Sequence, residues 1–419
     1  MPTPAEGSVL DRRTLNRTLL LRQGLLERSP DASPRAVPAA IEGLVGMQAQ
    51  NPRDPYVGLW SRLAGFDASA LESLVLESRV VRMTLMRTTL HLVTARDARL
   101  LRRATQELCE RAFAGSPFRR SLAAAGPSAV DIPAVVAAGT ALLAERPLTV
   151  AELGRALAPR WPGADPNALA YAVRYLAPVV QLPPRGLLHR SGPPRLAPLD
   201  LVIGAERGEG ETRGGSLASG EGAASGGVAP SGEGAPSGEG AASGTGRPSI
   251  SAAVDEAVRR YLRAFGPATT ADVRAWSWLT GVRVVLDRLD APLRRYRDEA
   301  GRELWDVADG VFAEPGTPAP ARLLGEYDNV FLSHADRTRI TGDATWGPAY
   351  TRFATVFVDG FLAGAWRIVR DGDRVTLRLE PRGPLAAGAM ARSEVETEAA
   401  ALLGFLEPER PGAVEWAAE

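Results

Sequence analysis

The sequence predicts a mainly α protein with added β structure (α+β), built from tandem winged helix-turn-helix units and ending in a small β domain. The main observation is an order that occurs twice: three helical segments and then a hairpin, once from Asp131 and again from Val254. A second is the apolar alternation of the tail from Arg352, which reads as strands. A third separates the two units: residues 204–249 are dominated by Gly, Ser, Ala and Glu, with SGEGA beginning at Ser219, Ser231 and Ser237. Such a composition buries too little apolar surface to offset its ordering entropy, so it reads as a flexible linker insert. A disordered binding segment is the alternative, and the lack of aromatic anchors argues against it.

Along the chain, Leu15, Leu19, Leu20 and Leu26 recur at helical spacing within residues 12–27, and Ser33-Pro34 offers a capping start for a helix through residues 41–45. A helix over 67–77 precedes VVRMTLMRTTLHLVT, residues 80–94, whose β-branched content and central basic residues predict two strands. The second unit has helices over 132–143, from Thr149 and over 166–176, then VVQLPPRGLLHRSGPPRLAPL as two strands around a loop. The third has helices over 254–265, 270–276 and 282–289, then LRRYRDEAGRELWDV as a hairpin turning at residues 298–301. In the tail, turns are expected at Asp359-Gly360 and Asp371-Gly372, with a final helix from Ser393. The predicted division is 1–130, 131–203, the insert 204–249, 250–315 and 316–419.

Composition sets the outer limits. The 419 residues, 45% of them hydrophobic, suffice for two or three domains with cores. Basic and acidic residues balance at 49 each, so any polyanion site has to come from local clustering of charge. Every basic residue is an arginine. The single cysteine, Cys109, excludes a disulfide framework and a cysteine-built zinc site, and His91, His189 and His334 match no local metal motif. No metal or cofactor is expected. The opening MPTPAEGSVLDRRT has no apolar signal core, and no run approaches the roughly 20 apolar residues of a membrane span. A cytoplasmic monomer without membrane contact is the expectation.

The stretch GMQAQNPRDP sets Gln48 and Gln50 one residue apart before Asn51-Pro52. Pro52 biases Asn51 away from helical dihedrals, so the preceding helix is expected to end near Gln48; in extended chain, residues two apart share a face. Two convergent amides offer donors and acceptors without charge, which suits a water, a base edge or a phosphate. They can instead cap the helix end or bond loop backbone.

Together with MRTTLHLVTARD and EYDNVFLSHADRTRI, the stretch MQAQNPRDPYVGLWSRL resembles the bacterial AlkZ/YcaQ-like winged-helix DNA glycosylases, and the likeness covers most of the chain outside the insert. The resemblance implies winged helices around a concave cleft for duplex DNA carrying alkylated bases. It places Gln48 and Gln50 at the centre of that cleft, acting on the glycosidic bond. Some relatives carry Asp at the second position; members of the Gln-x-Gln group remove bulky adducts of DNA-alkylating natural products. That implies repair or self-resistance, in association with the nucleoid.

The chemistry tolerates a site without a carboxylate. An N7- or N3-alkylated purine is already cationic and leaves as a neutral base without a general acid. What remains is to orient water toward an oxocarbenium-like sugar, a task for amide carbonyls. Selectivity for cationic lesions over uracil or hypoxanthine is expected. Strand cleavage by glycosylases uses an amine nucleophile, and without lysine only an N-terminal Pro2 remains, beside TPAEGS, which reads as a flexible tail. A monofunctional hydrolase leaving an abasic site is therefore expected.

Further candidates surround the motif. Arg87, near a hairpin tip, suits DNA phosphate contact, and His91 either joins it or satisfies a bond beneath a strand. His334, Arg337 and Arg339 form a second DNA-binding set; the alternative is a structural network of Asp328, Asn329, His334 and Asp336. Arg174, Arg283 and Arg288, on or beside the third helices, offer phosphate contacts. Trp276 and Trp278 read as packing. Winged helices also serve transcription regulators, which prefer one undamaged operator, and scaffolds, which bind no DNA at low salt.

Overall fold

The computed structural model describes residues 3–31, 33–124, 130–204, 250–289, 292–343, 353–382 and 389–417. From residue 205 onward the insert lies outside them. One order of elements recurs three times. The first unit runs helix Ala36–Gly43, strand Met47–Gln48, helices Asp54–Trp60 and Ala68–Leu76, then strands Val80–Thr84 and Leu90–Thr94. The second runs helix Ile132–Glu145, strand Leu148–Thr149, helices Val150–Leu157 and Pro166–Leu176, then strands Val179–Leu182 and Arg195–Pro198. The third has helices Ile250–Phe265, Thr270–Ser277 and Val282–Arg288 and the hairpin Leu293–Asp298 with Glu303–Val307; a bridge between Ala268 and Trp305 replaces the short strand.

Local chemistry explains the repeat. The second helix of the second unit opens on a reciprocal capping box between Thr149 and Glu152, and that of the third on one between Thr269 and Asp272. Each box satisfies two of the backbone N–H groups that a helix start leaves open. Asp131 and Asp165 cap the two other helices of the second unit, each with proline in the first turn, where no N–H is needed.

The first two units share one six-stranded sheet, because Val80–Thr84 pairs antiparallel with Val179–Leu182. A boundary at residue 130 therefore separates helices but not sheets. The sheet also separates two cores. Met47, Ala49, Val80 and Leu92 point into the core shared with the C-terminal domain, whereas Val81, Met83 and Val93 on the other face pack in the core that holds Tyr261 and Trp276 of the third unit.

Helices Ala95–Ala104, Gln106–Ala114 and Pro117–Ala123 follow the first hairpin, a stretch to which the sequence reading assigned nothing. The first of them packs on Ile250–Phe265, and Arg260 reaches across to Asp97 at 2.5 Å and to the Glu42 carbonyl at 2.8 Å. This tie holds the third unit against the first.

The C-terminal domain is a five-stranded sheet of Arg322–Leu324, Ala354–Val358, Phe361–Asp371, Arg374–Pro381 and Gly412–Trp416, packed by helix Ala389–Leu406. The helix is not the last element. The chain returns to add Gly412–Trp416 parallel to Arg374–Pro381. The reading of TPAEGS as a free tail also needs correction: Gly7 donates to Arg295 at 2.8 Å, and Val9–Leu10 pairs with the third unit's hairpin. No helix among the described residues is long and apolar enough to cross a membrane.

Candidate active site

The helix before the glutamines ends earlier than Pro52 alone predicts. It stops at Gly43, since Val45 and Gly46 take left-handed conformations, φ 54° and 86°, and the Gly46 N–H turns back to the Ile41 carbonyl. A Cβ on Gly46 would stand 2.7 Å from Val93 Cγ1, so glycine is required twice over. The chain then straightens, and Met47–Gln48 pairs with Leu90–Thr94, Gln48 lying opposite His91.

Ala49, between the glutamines, is fully buried; its N–H donates to Leu90 at 2.8 Å and its carbonyl accepts from Arg82 at 2.7 Å. With the spacer locked, alternation turns Gln48 toward the face shared with His91 and the third unit, and Gln50 follows in a bend just past the strand. Gln48 is buried and Gln50 exposed.

Arg87 completes this corner. It occupies the tight turn of the hairpin, where Arg87 and Thr88 both take left-handed φ, 53° and 55°. Its Nη2 donates to Gln48 Oε1 at 2.7 Å and its Nη1 to the Trp276 carbonyl. A guanidinium only donates, so this fixes the sense of the Gln48 amide: oxygen toward Arg87, NH2 away. One acceptor lone pair and two donors remain for a ligand. Burial, with Arg337 nearby, pushes Arg87 down to about 10, so it stays charged at neutral pH. Arg87, read from the sequence as a DNA phosphate contact, here places one N–H on Gln48 and one on the Trp276 carbonyl.

His91 is buried, and its Nδ1 lies 3.0 Å from the Thr89 carbonyl. The carbonyl only accepts, so Nδ1 carries the proton and Nε2 keeps a lone pair. Burial, with the Arg87 charge adding to it, pushes the ring down to about 3. It is a neutral imidazole beside Gln48.

The third resembled stretch buttresses the first. Asn329 donates to the Leu44 and Gly46 carbonyls at 3.0 and 2.7 Å, bracing the turn that leads into the motif. Asp328 takes both arms of buried Arg62 at 2.8 Å, and the Tyr327 N–H donates to Asp54 Oδ2 at 3.2 Å. Asp54 follows the motif by four residues. Burial, then the Glu326 carboxylate, raises it to about 8. Gly325 rests against it, a Cβ there falling 2.9 Å from Asp54 Oδ1. The alternative network of Asp328, Asn329, His334 and Asp336 does not form as a unit: Asp328 pairs with Arg62, Asn329 with backbone carbonyls, His334 with Ser333 and Asp336 with Arg302.

His334 and Arg339, expected as DNA contacts, are interior residues. His334 Nδ1 pairs with Ser333 Oγ at 2.7 Å, and Arg339 donates to the Pro267 carbonyl at 3.1 Å near Asp272. Together they dock residues 333–339 on the third unit. Only Arg337 of that set keeps exposed surface; it stacks over Phe331 and makes no ion pair among the described residues. Arg283 and Arg288 are tied to Asp287, Glu303 and Asp255, and Arg174 lies over Tyr171. Trp276 packs among Tyr261 and Phe265, whereas Trp278 is 52% exposed.

Three winged units supply this corner, and comparison with known proteins defines the class. The family model for AlkZ-like DNA glycosylases matches residues 41–405, and the chain belongs to that family: it is a DNA glycosylase. Among solved structures, that of the Streptomyces sahachiroi DNA glycosylase AlkZ superposes with a TM-score of 0.69 over 98% of this chain and 100% of that one, at 18% identity. No curated protein matches at the sequence level.

Proposed function

We propose that the protein hydrolyses the N-glycosidic bond of cationic alkylated purines in duplex DNA, N7-alkylguanine and N3-alkyladenine including bulky adducts, and leaves an abasic site. The observation that carries this reading is the uncharged Gln48 on a locked strand, held by Arg87, with uncharged Gln50 exposed two residues on. A cationic purine departs as a neutral base, so no acid is needed at the leaving group. Gln48, Gln50 and the free Nε2 of His91 offer acceptors, two of which take the hydrogens of one water, and amide dipoles ease the charge that develops on the sugar. Arg337 is the DNA phosphate contact that this reading retains from the 334–339 segment. No lysine amine exists to form a Schiff base, so strand cleavage falls to another enzyme. Repair or self-resistance in the cytoplasm, by a monomer, fits this chemistry.

Mass-spectrometric detection of free base from duplexes carrying small and bulky N7-alkylguanines tests the proposal. Wild type is expected to release base, and Gln48→Ala or Gln50→Ala to lose most of that activity. Release undiminished in both variants would remove the glutamines from the reaction.

A further inference from the structure

A cleft of about 630 Å³ opens beside Asn51, Pro52 and Arg53, immediately after the glutamine pair. Four separate chain segments bring arginines to its walls: Arg53 before helix Asp54–Trp60, Arg185 and Arg190 from the wing of the second unit, Arg370 from strand Phe361–Asp371, and Arg410 from the turn before the last strand. Against these five guanidinium groups stand only two carboxylates, Glu407 and Glu409. Glu407 is buried and already engaged, by Arg370 closely and by Arg53 at 3.4 Å. It fixes those two side chains while its charge is spent. Arg185 and Arg190 make no ion pair among the described residues. In a chain whose charges balance, this is a built surplus of positive charge.

We propose that this cleft, at the end of the segment that carries Gln48 and Gln50, binds a backbone phosphodiester of the DNA strand. The proposal rests on the placement of the reacting sugar at those glutamines. A guanidinium fork matches a phosphate's oxygens in geometry and charge, and several converging forks hold one anionic group without reading sequence. Position supports the assignment. Asn51 lines the cleft, and its Cα is about 3.8 Å from that of Gln50. Crowding agrees: burial and then neighbouring Arg370 lower Arg53, the condition an anion relieves.

The test is fluorescence anisotropy of labelled duplex DNA over a series of KCl concentrations, with full-length wild type and the double variant Arg190→Gln/Arg410→Gln. Both side chains are exposed, so a matching melting temperature confirms that the variant is folded. The expected result is weaker binding at low salt, with the slope of log K against log salt reduced by about 0.9 for each phosphate that the variant no longer neutralises. An unchanged slope overturns the proposal. Base release is scored on the same wild-type sample: a reduced slope without any base release leaves the phosphate site standing and sinks the reading of the glutamines.

Discussion

Arg87 holds Gln48. The guanidinium donates to the Gln48 side-chain oxygen at 2.7 Å while its other arm holds the Trp276 carbonyl, so one residue of the first winged unit orients the motif and ties it to the third. The turn that presents it carries two consecutive left-handed residues, a strain of roughly 1–3 kcal/mol each, and the Arg87 anchors offset it.

Arg87→Ala is expected to lower kcat by roughly 10- to 100-fold with little change in KM, the loss of one or two hydrogen bonds to a charged group at about 1.5–3 kcal/mol. Arg87→Lys should not rescue it, because a single ammonium cannot reach both partners as a planar fork does. Arg87→Gly relieves the φ strain and should melt no lower than Arg87→Ala, yet be equally inactive. Kinetics on an N7-methylguanine duplex beside thermal melts reads all three; full activity in Arg87→Lys would refute the positioning role.

Asn329→Asp should harm the protein more than Asn329→Ala, although aspartate has nearly the same shape. Asn329 gives both amide hydrogens to the Leu44 and Gly46 carbonyls. Alanine leaves two buried carbonyls unpaired, at about 1–3 kcal/mol each, whereas an ionised carboxylate faces them with acceptors only. Denaturant unfolding at pH 7 measures the order, and equal stability of the two variants would show that the brace carries no weight.

How much of this was legible in the sequence depends on whether a residue's partner is local. The helix starts at Thr149 and Thr270, the hairpin turn at Asp359-Gly360 and the strand pair around Arg87 follow from neighbours within a few positions, and they occur where pattern predicts. The turn in the next hairpin falls one residue later, at Gly372-Asp373. The bracing of the glutamine motif was not legible: Asn329 reaches Gly46 across 283 positions and Arg62 reaches Asp328 across 266, distances over which no period or spacing speaks. His334 and Arg339 misled for the same reason. Their polar chemistry suggests a surface, but Asp272, the Tyr261 ring and the Pro267 carbonyl, supplied from the third unit, give them an interior. The helices after Thr94 are hard to see in the sequence because arginine interrupts their apolar rows.

Between pH 6.5 and 5 the wild type should lose stability. His91 and His334 are both pushed by burial to about 3 in the folded protein, from an ordinary value of 6.5. As pH falls through 6.5 the unfolded chain takes up protons that the folded one refuses, so each histidine costs up to about 1.4 kcal/mol per pH unit. Above 6.5 neither state binds the proton and the effect vanishes. Unfolding free energy measured over this window should fall less steeply in His91→Gln/His334→Gln than in wild type; an identical slope would mean that the rings protonate inside the fold.

Asp54 predicts the opposite trend on the alkaline side. Burial against Gly325 and the nearby Glu326 carboxylate raise it to about 8 from the ordinary 3.8, even though it opens a helix, where a carboxylate is normally welcome. Between these two values the folded protein retains a proton that the unfolded chain has released, so stability falls as pH rises and levels off once Asp54 ionises in both states. Below pH 6.5 the histidines mask this, which leaves pH 6.5 to 8 as the clean window. Wild type should lose up to about 1.4 kcal/mol per pH unit there. Asp54→Asn keeps an oxygen to accept from the Tyr327 N–H, cannot ionise, and should stay level while melting above wild type at pH 8. Because Asp54 sits four residues beyond Gln50, its ionisation should also loosen the strand that presents the glutamines. Base release should therefore decline with the same midpoint in wild type and persist in the variant. If both proteins show the same pH dependence in this window, Asp54 is ionised in the native state and another group carries the trend.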